Sequence, residues 1–543
     1  MSIEALKDRR APWAFGAGVL GVVAGVLLHL PMFWMGRMNG FRLAGMPMDP
    51  GMVFGMFLIV GGVFVSAYGL LPSNATGRAR AAERIAIQAP EDAPLRPAHW
   101  TLMVVLVVAL TIDVMKPASL GFVMPGMTSE YGVPKAQASL VPFFALVGTV
   151  IGSLIWGMLA DVYGRKASIL LSAVVFVGSS ICGAMPSLGW NIAMCFLMGA
   201  GAGGMLPVTY ALLAETMPTR HRGWVLVLVG GLGAVGGYFA ASGASSLLVP
   251  TYSWRILWLL NLPTGLALVL MGGLIPESPQ FLLARGREAA ARRVMARFGV
   301  VSRRLDEDEE EPTDADGHGR PLGSAHHPRP ARLWTPALIG RTAALSIAAI
   351  TWGLVNFGLL LWLPSDLVAK GYSIGASSRL LAQSALIAFP TVFACAALYS
   401  RWSTKWSLAL TLALTLGGLV WVLLLEAHGG GDPVAPVAML IVGSNGLLAI
   451  LLPYASESYP LRIRGRATGL VAACTKTGGV CAQALSITAL APALGFAALA
   501  IVVPTALALG LIARFGVETR ALDLRSLEFD DRDPAILRAA MRS

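Results

Sequence analysis

Three charged residues stand inside apolar runs, where charge is expensive: Asp113, Lys116 and Lys476. Asp113 lies about 13 residues into its run, roughly 20 Å along a helix rising about 1.5 Å per residue, in the middle portion of a hydrocarbon layer about 30 Å thick. A carboxylate there costs on the order of 2.5–3.5 kcal/mol even on insertion scales, so it must face a partner or a cavity and is a candidate for a substrate or ion path. Lys116, three residues on, shares its helix face and can pair with it, and Pro117 can bend the helix beside the pair. Two readings stay open: a couple that exchanges a proton for substrate, or an ion pair that staples the bundle. Lys476 also has two readings. It is either a second base in a net positive cavity that favours an anionic substrate, or a side chain that snorkels to a local partner.

A second charged group lies between apolar runs. Gly157-Met-Leu-Ala-Asp161-Val-Tyr-Gly164-Arg165-Lys166 sets small residues beside charges. Small residues permit close helix approach, and Asp161 and Arg165 can make charge-assisted contacts to neighbouring helix ends. No nucleophile and base, and no metal-ligand set, emerges, so an enzyme is not indicated and no cofactor is expected. The five cysteines fall inside hydrophobic runs without CxxC spacing and read as small packing residues. His318, His326 and His327 lie in a polar linker without an organised set of partners, so no metal is assigned there.

The elements that carry these residues follow from composition. Of 543 residues, 56% are hydrophobic and only 13% charged, against roughly 25% charged in soluble domains, so most of the surface faces lipid. Fourteen apolar runs are each about long enough to span. The first two lie near Pro12–Leu30 and Gly51–Leu71, and twelve follow from Trp100 to Ala513 in two blocks of six. The first run is long, lacks a small-residue cleavage site and precedes many more spans, so it is read as retained rather than as a signal peptide. The net charge of +11 is a matter of topology and not of nucleic-acid binding, because basic residues collect in alternate loops. Lys7, Arg9 and Arg10, then Arg78, Arg80 and Arg84, then Arg165 and Lys166 place those segments, and with them both termini, in the cytoplasm.

The two blocks repeat one another. Pro125, Gly132 and Asp161 correspond to Pro364, Gly371 and Ser400 at an offset of 239. Glu215, Pro218, Arg220, Arg222 and Gly223 correspond to Glu457, Pro460, Arg462, Arg464 and Gly465 at an offset of 242. Two six-helix halves related by an axis along the membrane normal are the expected source. In the second half the counterpart of the Asp161 segment, Ala397 to Lys405, has lost the acid and the second glycine, so any cytoplasmic latch is asymmetric. The linker between halves carries the acidic run Asp306 to Glu311 and reads as a flexible tether.

The Gly157 to Lys166 stretch resembles the G-x-L-a-D-x-x-G-R-K signature of the major facilitator superfamily. Glu215-Thr-Met-Pro-Thr-Arg-His-Arg-Gly, Glu457-Ser-Tyr-Pro-Leu-Arg-Ile-Arg-Gly and Pro276-Glu277-Ser278-Pro279-Gln280-Phe281 resemble elements of its sugar-porter-like members. The resemblance covers about Trp100 to Arg514. It implies an all-α polytopic membrane protein with a twelve-helix core, here behind two extra N-terminal helices. It implies alternating-access transport of a small organic molecule, with Asp161, Gly164, Arg165, Lys166, Glu215, Arg222, Glu457 and Arg464 gating the cytoplasmic side. Glu215 and Glu457 would pair with loop arginines such as Arg165 and Arg401. Thr209, Trp352, Asn356 and Asn445 stand on helices that line the cavity in that family, though each can instead be packing. The glutamine-rich and Gly-Ile-Asn sugar-contact signatures are absent, as is the Gly-Pro-x-x-Gly-Gly element of drug:proton antiporters. Asn356 to Pro364 with Gly371-Tyr372-Ser373 looks instead like the metabolite:proton symporter branch. Cys195 stands where a proton-coupled relative has a fourth-helix arginine, a place Lys116 can fill.

The expected organisation is therefore an extra helix pair with linker over 1–99, halves over 100–276 and 336–515, a cytoplasmic loop over 277–335 and a tail over 516–543, in a bacterial-type inner membrane. The expected partners are a small-molecule substrate, most simply an organic anion, together with protons and the bilayer, without nucleic acid. A facilitative sugar or polyol carrier, an efflux transporter, and a non-transporting receptor with the same fold are the competing readings. Ala17, Gly21 and Gly25 form a small-residue face that suits helix packing, oligomerisation or a partner protein through residues 12–71. The methionine- and proline-rich turn from Gly45 to Pro50 reads as an ordered interfacial turn rather than a soft-metal site.

Overall fold

Long apolar runs in lipid have to satisfy their own backbone, which helices do within a single segment. A computed structural model describes residues 3–71, 85–88, 93–284, 287–299, 301–304, 335–336, 338–428, 433–459, 461–488 and 494–520. The Asp306–Glu311 run, the three linker histidines, Arg78, Arg80, Arg84, Pro460 and the tail beyond residue 520 lie outside them, as do the side chains of Lys7, Arg9, Asp161, Arg462 and Arg464.

Two helices come first, α1 (Ile3–Leu27) and α2 (Pro50–Leu70). The first half comprises α3 (Pro97–Tyr131), α4 (Leu140–Tyr163), α5 (Arg165–Gly178), α6 (Leu188–Ala202) continued by α7 (Met205–Thr216), α8 (Thr219–Tyr252) and α9 (Asn261–Met271). After the connecting α10 (Glu288–Phe298), the second half comprises α11 (Ile339–Gly353), a π-helical turn (Leu354–Leu360), α12 (Leu361–Ala369), α13 (Ile374–Arg401), α14 (Thr404–Ala427), α15 (Val434–Glu457), α16 (Leu461–Ile487) and α17 (Leu494–Phe515). Twelve helices among the described residues are long and apolar enough to cross a bilayer, and shorter apolar helices lie at Leu188–Ala202 and Ile256–Met271.

The repeat has a visible conformational cause. Gly132 and Gly371, identical at the 239 offset, both take positive φ, +62° and +97°, where the long first helix of each half ends. The halves meet where α8 packs on α13 and α4 on α16. Phe239 and Phe389 stand edge to face at 5.7 Å, and the Ser245 and Ser378 hydroxyls are 2.8 Å apart.

Two details differ from the sequence reading. The seam between α1 and α2 runs through Gly18, Gly21 and Gly25, with Ala17 exposed on the outside, because 3.6 residues per turn carry the face from 25 to 18 through 21. A Cβ on Gly25 would stand 2.5 Å from the Gly55 carbonyl oxygen, so a side chain there would force the helices apart. The loop between halves is also not all tether. Its α10 helix is followed by β2 (Val301–Arg304), which pairs antiparallel with β1 (Ile85–Gln88), with Ile85 opposite Arg304.

Candidate functional site

Asp113 sits near the middle of α3 with its side chain buried, and Lys116 lies one turn further, 1% exposed, with Nζ 3.5 Å from Asp113 Oδ1. The Lys116 ammonium also rests 3.2 Å from the Phe176 ring centroid, a cation–π contact supplied by α5. From the other half, Lys476 on α16 holds its Nζ 5.8 Å from the Trp352 ring and 5.2 Å from the Phe357 ring. It interacts electrostatically with Asp113 across the boundary between halves. Lys476 therefore points inward and does not snorkel. With all three groups ionised, the one carboxylate and two ammonium groups of this cluster carry one positive charge in excess.

Trp352 is buried with its indole N–H unpartnered, and Asn356 is half-buried in the π-helical turn. Thr209 on α7 is fully buried with an unpartnered hydroxyl, and Asn445 is half-buried on α15. No hydrogen bond or ion pair among the described residues joins those two to the lysines. Tyr238 on α8 adds another buried, unpartnered hydroxyl. Unpaired polar atoms in a dry interior are costly, so such groups suit a place where a ligand or water supplies the missing partner.

Sequence reading missed the π-helical turn and its brace. Gln483 on α16 donates from Nε2 to the Phe357 carbonyl within that turn and accepts from Trp362 Nε1 at 3.2 Å. Single π turns inside helices recur at functional sites. The only sequence signal was a glutamine in an apolar run, two turns beyond Lys476. Toward the C-terminal end of α3 the two halves touch. Lys135 Nζ lies 4.6 Å from the Trp362 ring, and a Cβ on Gly121 would stand 3.3 Å from Leu361 Cα.

At the end of the bundle where the Gly157–Lys166 segment lies, Arg165 pairs with Glu215 at 3.5 Å, and Ser278 Oγ donates to Glu215. Glu277 accepts from the Lys166 backbone N–H at 3.2 Å and so caps α5. Gly164, with φ +105°, allows this approach, since a Cβ there would stand 2.6 Å from the Glu277 carboxylate. Burial pushes the Glu277 carboxyl above its ordinary value, against the pull of those backbone N–H groups.

The second half rebuilds the same device with residues the loop motif does not show. Glu518 caps α14 by accepting from Thr404 N at 2.9 Å and Thr404 Oγ1 at 2.7 Å, with Ser403 Oγ as a further donor. Thr519 Oγ1 donates to Glu457 at 3.1 Å, as Ser278 does to Glu215. Glu457 also accepts from Tyr399 at 2.6 Å and attracts Arg222 of the first half. The loss of the acid at Ser400 thus leaves the capping carboxylate in place.

Burial raises the Glu518 carboxyl, but the Ser403 and Thr404 donors outweigh it and hold the group below the ordinary 4.5. A depressed carboxyl contributes stability above that value and loses it as pH falls through the folded pKa. Glu518→Gln is expected to lower the melting temperature of the purified protein by about 1–3 °C at pH 7, the gap to wild type closing as pH falls below the ordinary 4.5 and through the folded pKa. An undiminished gap in acid would remove the charge from this account.

The model of the Major Facilitator Superfamily matches residues 102–482. The chain belongs to the Major Facilitator Superfamily. Among relatives, the niacin transporter of Acinetobacter baylyi is 25% identical over 401 residues, covering 72% of this chain and 87% of that protein. The 4-hydroxybenzoate transporter of the same organism is 30% identical over 298 residues, covering 49% of this chain and 64% of its own. The partially occluded, inward-open xylose transporter of E. coli superposes with a TM-score of 0.60 at 15% identity, over 79% of this chain and all of that one, a likeness of fold alone. The chain is a multi-pass inner-membrane transporter of this superfamily. It moves small organic metabolites and is not an enzyme.

Proposed function

We propose that this transporter carries small aromatic monocarboxylates together with protons by alternating access. The observation that carries the reading is Lys476, held over the faces of Trp352 and Phe357 and within electrostatic reach of Asp113 on the opposite half. An excess of one positive charge beside two aromatic faces suits a flat ring bearing one carboxylate: the carboxylate neutralises the cluster and the ring stacks. With Asp113 ionised, a dianion would leave it negative, and a neutral sugar would leave the excess charge unmatched. Relatives named for niacin, 4-hydroxybenzoate and benzoate support that class. Asp113 is the group we assign to the proton, and Arg165, Glu215, Arg222 and Glu457 to the cytoplasmic gate.

The chain is read as crossing the membrane fourteen times with both termini cytoplasmic. The interrupted α6–α7 and the short Ile256–Met271 segment complete the twelve long helices. At about 1.5 Å per residue the latter reaches roughly 24 Å, close to a hydrocarbon core.

The test is uptake into proteoliposomes of labelled nicotinate, benzoate and 4-hydroxybenzoate, with and without a pH gradient. At least one should accumulate roughly tenfold per unit of inward proton gradient, collapse with a protonophore, and be unaffected by excess xylose. Gradient-independent equilibration of xylose would support the facilitative sugar reading. A folded protein that moves none of these would favour a receptor.

A further inference from the structure

Among the described residues the two N-terminal helices have no part in the central charges or the cytoplasmic gate, yet a buried ion pair reaches the loop that joins them. Glu130 at the outer end of α3 and Arg255, which is 0% exposed, pair at 2.7 Å. Glu130 Oε1 also accepts the Leu43 N–H at 2.7 Å and the Ala44 N–H at 3.1 Å, both from the loop joining α1 to α2. Oε2 accepts Trp254 Nε1 at 2.8 Å. Arg255 spends its remaining donors on the Gly183 and Met185 carbonyls and on Tyr131. Two loop amides thus complete the coordination of a buried carboxylate that would otherwise lack them.

The backbone strain of the chain collects at the same place. Phe41 and Ser253 are the non-glycine residues with positive φ among those described, at 61° and 64°. A bulky residue keeps such a conformation only where its surroundings over-determine it. Phe41 is stacked on Phe33 at 4.8 Å and set edge-on to Tyr252 at 5.8 Å, one residue before Ser253. Lower down, Val22 and Ile59 of the pair pack on Val174 and Val177 of α5 in a separate apolar cluster. Both apolar clusters that include the pair draw their other members from the first half.

We propose that the N-terminal pair is a permanent part of the first half, latched through Glu130 and Arg255 and moving with it, so that the transporter rocks as eight helices against six. The surface recognised is the outer rim of α3 and the turn into residue 255, together with the lipid-side face of α5. The partner that fits it is the 36–50 loop of this chain with its two helices. The rocking part of this statement rests on the transport reading above; the latch does not.

Hydrogen–deuterium exchange on the full chain in nanodiscs tests the latch without a substrate. Exchange at residues 41–46 is expected at least about 100-fold slower than in an unstructured peptide. In Glu130→Gln it should accelerate at least about tenfold there and at 183–187 together. A wild-type loop exchanging like free peptide, or acceleration confined to one of the two segments, overturns the proposal. Movement is tested in a chain with its five cysteines replaced and Val22→Cys with Gly178→Cys introduced, since a Cβ at Gly178 would lie 3.7 Å from Val22 Cγ1. With benzoate, nicotinate and 4-hydroxybenzoate as probes, oxidation should leave uptake within about twofold of the reduced protein. A loss beyond tenfold, restored by reductant, overturns motion as one body. Wild-type protein that takes up none of the probes counts against the transport reading, and the exchange results then still decide the latch.

Discussion

Lys476→Met is expected to lower the uptake efficiency for an aromatic monocarboxylate roughly 100-fold, while Lys476→Arg retains a measurable fraction of it. Removing one partner of a buried charge pair costs about 2–5 kcal/mol, and each 1.4 kcal/mol is tenfold, so two orders of magnitude is the lower part of the range. The substitution leaves Asp113 and Lys116 as a neutral couple and takes away the positive excess on which anion binding rests. Arginine keeps the charge, but its planar fork must replace a compact ammonium over the Trp352 and Phe357 faces, so part of the geometry is lost. The effect should fall mainly on apparent affinity. Lys370→Met, at an exposed pair with Asp366 and Glu426 near the outer surface, is the comparison, and as a solvent-screened contact it should change uptake little. Equal losses at Lys370 and Lys476 would show general damage and sink the assignment of the anion site.

Apolar length, charge asymmetry between loops and the two offsets were enough to read a repeated helical membrane protein from the sequence, and the resemblance of the Gly157–Lys166 stretch supplied the transporter reading. Those signals are imposed by the bilayer and by duplication, and both act along the chain. The proximity of Asp113 and Lys116 was legible for the same reason: three residues apart on one helix is a local fact. The approach of Lys476 to them was not, because it depends on how α16 is rotated against α3 across the boundary between halves. The brace at Gln483 and the capping role of Glu518 were hidden likewise. A π turn leaves no periodicity strong enough to notice in seven residues, and Glu518 stands 114 residues from the Thr404 amide it caps. The asymmetry expected of the cytoplasmic latch came from comparing only the loop after the second helix of each half. The matching capping carboxylates, Glu277 and Glu518, come from the segment after the sixth, which that comparison did not include. The small-residue face of α1 was placed one residue off at Ala17, since a four-residue spacing drifts around a helix of 3.6 residues per turn and only the partner helix fixes which stripe is used.

Asp113→Asn is expected to abolish accumulation driven by a proton gradient while leaving exchange of labelled for unlabelled substrate. A monoanion carried with one proton crosses without net charge, so one pH unit, about 1.4 kcal/mol, supports roughly tenfold accumulation. An amide cannot take up and release that proton. The variant should therefore equilibrate to a ratio near 1, or bind anion without net movement. Asparagine keeps the shape, and Lys116 keeps its seat against Phe176, so folding should survive better than with a larger change. The variant also leaves two ammonium groups without their carboxylate, so an anionic substrate has more positive charge to meet, and the apparent affinity in exchange should hold or tighten. A merely stapling ion pair predicts a different pattern: lower melting temperature, and accumulation and exchange falling in the same proportion. Full gradient-driven accumulation by a well-folded Asp113→Asn protein would remove Asp113 from the coupling step while leaving the anion site at Lys476 standing, because the two claims rest on different atoms.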